Sequence, residues 1–101
     1  MITVCIRYKI DMHKMAEFEQ YARRWRDIVP RCGGTLVAYY LPTKIAGPTD
    51  VAMGLFEFDS LAQYETYRDA LMQDAAAKEN LDFASQTRCL LAEDRSILRK
   101  V

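Results

Sequence analysis

Hydrophobic and polar residues alternate over positions 2–10 of the chain, the period of a β-strand. The even-numbered positions are all apolar or aromatic, whereas the odd-numbered ones include Arg7 and Lys9. The period then becomes helical, with this apolar stripe: Met15, Phe18, Ala22, Trp25 and Val29. Pro30 and the Gly33-Gly34 pair predict the end of the helix. The chain therefore begins with a predicted strand and an amphipathic helix.

Two apolar, β-rich runs follow, over residues 35–41 and 51–58, and both predict strands. The segment between them contains Pro42, Gly47 and Pro48 and predicts a protruding loop. Both runs carry apolar residues on both of their faces. A sheet with helices on one face leaves its other face in water, so these strands require a second cover. We therefore expect a partner surface.

Ser60 and Gln63 match a capping box and predict the start of a second helix. Its predicted apolar side consists of these residues: Leu61, Tyr64, Leu71 and Met72. Residues 73–86 remain helix-like and are compatible with one continuous helix or with two shorter ones. Residues 88–101 predict the last strand. The resulting order of elements is β-α-β-β-α-β.

Composition and charge narrow the class of protein. At 101 residues and 50% hydrophobic content, the chain predicts one folded domain over residues 1–101. The 14 basic residues balance the 14 acidic ones, so we expect no nucleic-acid partner. No apolar stretch approaches the roughly 20 residues of a membrane span, so no membrane partner is expected. The three widely spaced cysteines, Cys5, Cys32 and Cys89, favour a reducing compartment and a cytoplasmic location.

Residues that could carry chemistry are few, and the sequence leaves open whether the protein is an enzyme. His13 is the only histidine, so no metal site is predicted and no cofactor is expected. Arg7 has two interpretations: an ion pair with Glu57 or Glu93 on the sheet, or an anchor for an anionic ligand. Aromatic residues of the strands favour a core role over a role as pocket walls.

The chain resembles the NIPSNAP family along nearly its whole length. The segments that carry the resemblance are these: Ile6–Tyr8, Met15–Ile28, Gly33–Val37, Gly47–Pro48 and Leu55–Leu61. The resemblance implies a ferredoxin-like α+β fold, in which a four-stranded antiparallel sheet has its helices on one face. It also implies a homodimer through the sheet faces, which closes a dimeric α+β barrel. Where the family pattern usually has a histidine and a tryptophan in the third strand, this chain has Gly54 and Phe56.

The resemblance and the lack of a catalytic set together favour a small homodimeric binding or interaction module of unknown ligand. The alternative is a small-molecule enzyme similar to the cofactor-independent monooxygenases of related barrel families, with a pocket between sheet and helices. A small aromatic or anionic ligand would then meet these candidate residues: Arg7, Tyr8, His13, Trp25, Tyr40, Phe56 and Arg88. No catalytic residue is assigned.

Overall fold

A computed structural model describes residues 1–101 as four strands and three α-helices. In chain order these are β1 (Ile2–Ile10), α1 (Met15–Arg31), β2 (Thr35–Tyr40), β3 (Val51–Phe58), α2 (Leu61–Gln73), α3 (Ala75–Thr87) and β4 (Leu90–Leu98). A short 3-10 turn over Met12–Lys14 joins β1 to α1. None of the helices combines the length and hydrophobicity that a membrane span requires. The predicted order is confirmed, with the second helical part divided in two.

The four strands form one antiparallel sheet in the order β2-β3-β1-β4. At the centre of the sheet, Cys5 of β1 lies opposite Leu55 of β3 on one side and Ser96 of β4 on the other. This strand order and the β-α-β-β-α-β connectivity define a ferredoxin-like α+β fold. The predicted fold class is therefore confirmed.

The hydrophobic core lies between one face of the sheet and the helices. The even-numbered residues of β1 from Val4 to Ile10 are buried there, and the Tyr8 ring meets Phe18 of α1 edge to face, with centroids 5.2 Å apart. The stripe predicted for α1 faces this core, and Tyr21 and Ile28 are buried beside it. The alternating and helical periods thus identify the same interface from both sides.

Two glycines, rather than Pro30, end α1. The helix continues through Pro30 to Arg31. Gly33 then adopts a left-handed φ of 100°, and its N–H donates to the Pro30 carbonyl at 3.1 Å. The Gly34 N–H donates to the Val29 carbonyl at 3.0 Å. This pair of bonds is a Schellman motif, which satisfies carbonyls that the helix end would otherwise leave unpaired.

The start of α2 lies where the capping box predicts it. The Gln63 N–H donates to the Ser60 hydroxyl at 3.1 Å. The Gln63 side chain accepts from the Asp59 N–H and donates to the Gly33 carbonyl at 2.8 Å. The cap therefore also attaches α2 to the turn that follows α1.

The buried side of α2 matches the predicted one only in part: Tyr64 and Leu71 pack partly buried against the core, but the most buried residue of the helix is Tyr67. Tyr67 is only 5% exposed and packs on Phe58 with ring centroids 4.8 Å apart, whereas Leu61 and Met72 are 60% and 69% exposed. The aromatic contact with β3 turns the helix so that Tyr67 faces the core. The prediction for Leu61 and Met72 is therefore wrong.

Residues 73–86 form parts of two helices, which meet at Asp74. This residue has an extended backbone, and its carboxylate accepts from the Ala77 N–H at 2.9 Å to cap α3. Arg31 holds the same carboxylate through two bonds, of 3.0 and 2.9 Å. The end of α1 is thereby attached to the junction of α2 and α3.

The open face of the sheet, which points away from the helices, carries an apolar patch on β2 and β3 beside charged residues of β1 and β4. Met53 and Leu55 of β3 are half-buried there, and Tyr40 of β2 is 55% exposed. Apolar residues on both faces of the strands are thus confirmed. Arg7 lies exposed on this face and forms no ion pair with Glu57 or Glu93.

Candidate functional site

A cavity of about 380 Å³ lies between the sheet and the three helices. Eleven of its fifteen lining residues are hydrophobic. Its aromatic residues are Tyr8, Tyr21, Trp25, Tyr39, Phe56 and Tyr67. Small-molecule sites in proteins typically span about 300–1,000 Å³ and are lined mainly by apolar and aromatic side chains. The cavity therefore has the size and the lining of a site for a small organic molecule.

The floor of the cavity is an aromatic row that crosses three strands. The Tyr8 and Tyr39 rings stack with centroids 5.9 Å apart, and Tyr39 meets Phe56 edge to face at 5.7 Å. The ring of Tyr39 lies over Gly54, its register partner on β3. A Cβ atom at Gly54 would come within 2.9 Å of Tyr39 Cε1. With Tyr39 in this position, the floor requires glycine at position 54.

Helix α1 provides the second aromatic wall. Tyr21 and Trp25 are four residues apart, so they share one side of the helix, and their rings meet edge to face at 5.7 Å. Trp25 is 6% exposed, and its buried indole Nε1 makes no hydrogen bond of full geometry, although the Trp25 side chain acts as a donor toward Tyr21 and lowers the pKa of that phenol against the larger effect of burial. A buried donor of this kind is costly unless it is satisfied. The indole N–H is thus enclosed by protein, and the side that α1 presents to the cavity consists of aromatic ring surface.

The phenol groups of the cavity remain neutral at physiological pH. Tyr8 and Tyr39 share a hydrogen bond of 3.0 Å between their hydroxyls. Burial raises the pKa of both groups, and it also raises the pKa of Tyr67. Burial raises the pKa of Tyr21 to about 12. These hydroxyls can donate and accept hydrogen bonds, but they do not supply a phenolate base near neutral pH.

Exposed residues mark the mouth of the cavity. Met72 of α2 and Leu81 of α3 are 69% and 52% exposed, whereas Tyr8 is 2% exposed. Arg68 and Lys78 are also exposed lining residues. The mouth therefore lies between α2 and α3, with the aromatic floor behind it.

Strand β4 contributes a charged edge to the cavity. Arg95 donates to the Tyr64 hydroxyl at 2.9 Å and to the Glu93 carboxylate at 3.2 Å. The bond to the Tyr64 oxygen helps to raise the Arg95 pKa, against the opposing effect of partial burial. The guanidinium is thus held in place on the helix side of the sheet.

Three of the residues predicted to bind a ligand line this one cavity: Tyr8, Trp25 and Phe56. They come together because they lie on the apolar sides of β1, α1 and β3. The sequence pattern contains a further signal for Tyr21, which lies on the same helical stripe as Trp25.

The other four predicted residues lie elsewhere. Arg7 and Tyr40 are on the open face, as their register with Met53 shows. His13 is exposed in the turn before α1, where its backbone N–H donates to the Asp11 carboxylate at 2.9 Å. Arg88 is exposed and adopts a left-handed φ of 56° at the end of α3. None of them lines the cavity.

The remaining polar groups provide neither a metal-binding cluster nor an activated thiol. No group of three His, Cys, Asp or Glu side chains is arranged to hold a metal ion. Cys5 and Cys89 are buried. Partial burial, and then the neighbouring Asp74 carboxylate, raise the pKa of the Cys32 thiol, although Arg31 acts in the opposite direction. Cys32 is therefore not activated by the adjacent cation.

The fold and the cavity define a ferredoxin-like α+β domain with an aromatic pocket between its sheet and its helices. The chain belongs to the NIPSNAP family, whose sequence model matches residues 3–101. A search of curated proteins finds no significant match.

Solved structures share this fold. The chain superposes on a NIPSNAP family protein from Agrobacterium tumefaciens with a TM-score of 0.84 and 23% identity, over 99% of this chain and 85% of that chain. An uncharacterized NIPSNAP-like domain protein from Burkholderia xenovorans gives 0.83 and 21%, over 99% and 84%. A candidate antibiotic biosynthesis monooxygenase from Bordetella bronchiseptica gives 0.74 and 16%, over 99% and 96%. At these identities the similarity establishes the fold.

Proposed function

We propose that the protein is a homodimeric binding module that holds a small aromatic molecule in the cavity between its sheet and helices. The observation that carries this proposal is the lining of the cavity, in which six aromatic side chains form most of the apolar wall. Flat apolar molecules gain both burial and favourable ring contacts at such walls. The neutral phenols favour binding over base catalysis, because none of them is ionised near neutral pH.

The homodimer follows from the open face of the sheet. Met53, Leu55 and Tyr40 present apolar surface there, and two copies packed face to face would remove it from water. Size-exclusion chromatography with light scattering tests this part of the proposal. We expect a dimer at micromolar concentration, and a stable monomer would contradict it.

The binding proposal can be tested with the intrinsic fluorescence of the protein, because Trp25 is its only tryptophan. Nitroaromatic molecules quench tryptophan emission at short range. Titration with the neutral probe 4-nitrobenzamide should therefore give saturable quenching, after correction for absorbance with free tryptophan. Quenching that rises linearly without saturation would contradict a site beside Trp25.

A variant pair locates the probe in the cavity. Leu81→Tyr places a ring at the mouth and should weaken the saturable quenching, whereas Leu61→Tyr, equally exposed but outside the cavity, should leave it unchanged. Tyrosine does not absorb under tryptophan-selective excitation, so the signal still comes from Trp25. Equal effects of the two substitutions would contradict binding in the cavity.

An oxygen-dependent enzyme is the second candidate. It is favoured by the similarity of the fold to a candidate antibiotic biosynthesis monooxygenase. Oxygen consumption with dihydroxynaphthalenes as substrates tests it. Uptake of oxygen that depends on the protein and is lost in Leu81→Tyr would favour the enzyme, whereas saturable binding without uptake would favour the binding module.

A further inference from the structure

We infer that the ligand of the cavity is an aromatic acid, with its ring on the aromatic floor and its anionic group at the mouth. This inference rests on the proposed binding function and specifies the class of ligand. Its basis is the distribution of charged side chains around the cavity. The family resemblance makes no prediction about that distribution.

Cations from three elements line the cavity. They are Arg68 of α2, Lys78 of α3 and Arg95 of β4, and the only carboxylate among the lining residues is Glu93. Glu93 is paired with Arg95 at 3.2 Å. The lining therefore has an excess of positive charge on a chain whose formal net charge is zero.

Arg68 and Lys78 are not neutralised by neighbouring acids. Glu65 lies one helical turn before Arg68, and Asp82 lies one turn after Lys78. Neither acid forms an ion pair within 4.0 Å of these cations, whereas Arg23, Arg31 and other exposed cations do pair. The two cations at the mouth thus remain available to an anion from outside the chain.

The inner and outer parts of the cavity differ in polarity. The floor is aromatic and buried, as the 2% exposure of Tyr8 and the 5% exposure of Phe56 show. The mouth is charged and exposed to solvent. A carboxylate at the mouth would keep part of its hydration while it gains opposite charges, so it would avoid the full cost of burying an ion. An aromatic acid matches both regions.

A pair of probes of the same shape tests the inference. The anion 4-nitrobenzoate and the neutral 4-nitrobenzamide differ only in the carboxyl group, and both should quench Trp25 when they bind in the cavity. We expect the dissociation constant of the anion to be about three to ten times lower, the size of two exposed charge contacts. Added salt should reduce this preference, because it screens exposed charges.

Substitution of the mouth cations should remove the preference. The double variant Arg68→Gln and Lys78→Gln should lower the affinity for 4-nitrobenzoate to that for 4-nitrobenzamide. Its affinity for the amide should change by less than about twofold. The control is Arg26→Gln combined with Lys100→Gln, which removes the same charge outside the cavity. The control should keep the preference for the anion.

The outcomes separate this inference from the proposed function. The aromatic acid would be contradicted if the wild-type protein bound both probes with equal affinity, or if the control variant lost the preference for the anion to the same extent as the mouth variant. Neither result would contradict the proposed binding function. If neither probe binds saturably, both the proposed binding function and the inferred class of ligand are contradicted. If the mouth variant does not fold, the salt dependence of the wild-type preference decides the question, because it needs no substitution.

Discussion

At the scale of single residues, Gly54 shows how the lack of a side chain shapes the cavity. The Tyr39 ring occupies the space beside Gly54, and it joins Tyr8 to Phe56 in the aromatic floor. A side chain at position 54 and the present position of Tyr39 exclude one another. The glycine at position 54 is therefore linked to the position of a tyrosine on the neighbouring strand.

Gly54→Ala tests this link. The added methyl group would lie 2.9 Å from Tyr39 Cε1 and 3.0 Å from Phe56 Cε2, so the rings must shift. We expect a loss of about 1–3 kcal/mol in the free energy of unfolding, the usual cost of overpacking a core, measured by urea denaturation. Adding Tyr39→Leu should recover part of the loss that Gly54→Ala causes. A single variant as stable as the wild type would contradict the tight contact.

At the scale of elements, the junction of α2 and α3 determines where the cavity mouth lies. Asp74 ends one helix and caps the next, while Arg31 attaches it to the end of α1. The cations Arg68 and Lys78 lie on opposite sides of this junction. The attachment therefore sets the relative positions of the helices that carry them.

Asp74→Asn should reveal the ion pair through pH. The bonds from Arg31 and from the Ala77 N–H lower the pKa of Asp74 from 3.8 to about 2. Because the pKa is lowered in the folded state, the stabilisation is fully present above the unfolded value and is lost as pH falls through about 2. Asparagine still caps a helix, so the variant removes mainly the charge.

Thermal unfolding as a function of pH measures the effect of this substitution. The melting temperature of Asp74→Asn should lie below that of the wild type from pH 7 down to about 5, and the difference should shrink between about pH 4 and 2. Glu19→Gln, which breaks the exposed pair with Arg23 within α1, is the control and should give a smaller difference. A difference for Asp74→Asn that does not vary with pH would contradict the ion pair.

At the scale of the whole molecule, the two faces of the sheet have different surroundings. Helices cover one face and enclose the cavity, while the other presents Met53, Leu55 and Tyr40. We therefore expect the assembly of the protein to depend on the open face and its ligand to depend on the covered face. The two properties should then respond to different substitutions.

Leu55→Asp separates assembly from folding. Leu55 lies between Cys5 and Ala38 at the centre of the open face, so a carboxylate there would be buried without a partner in the dimer but hydrated in the monomer. We expect the dimer dissociation constant to rise by about a hundredfold or more, measured by light scattering and sedimentation. Leu61→Asp, on the helix side, should remain dimeric. An unchanged dimer in Leu55→Asp would place the interface elsewhere.

Much of the fold could be predicted from the sequence because its signals are local. The alternation in β1, the stripe of α1 and the cap at Ser60 each act within one element. The side of α2 that faces the core could not be predicted in the same way. It depends on the contact of Tyr67 with Phe58, a residue of the preceding strand.

The sequence by itself determined the order of elements, the two apolar faces of the sheet, and the burial of Tyr8, Trp25 and Phe56, because hydrophobic periodicity decides which side of an element leaves water. Only the tertiary structure decided that these three side chains share one cavity. It also placed Arg68 and Lys78 at the mouth of that cavity. Charged residues can be solvated on any exposed side of a helix, so their pattern in the chain carries no information about which cavity they border.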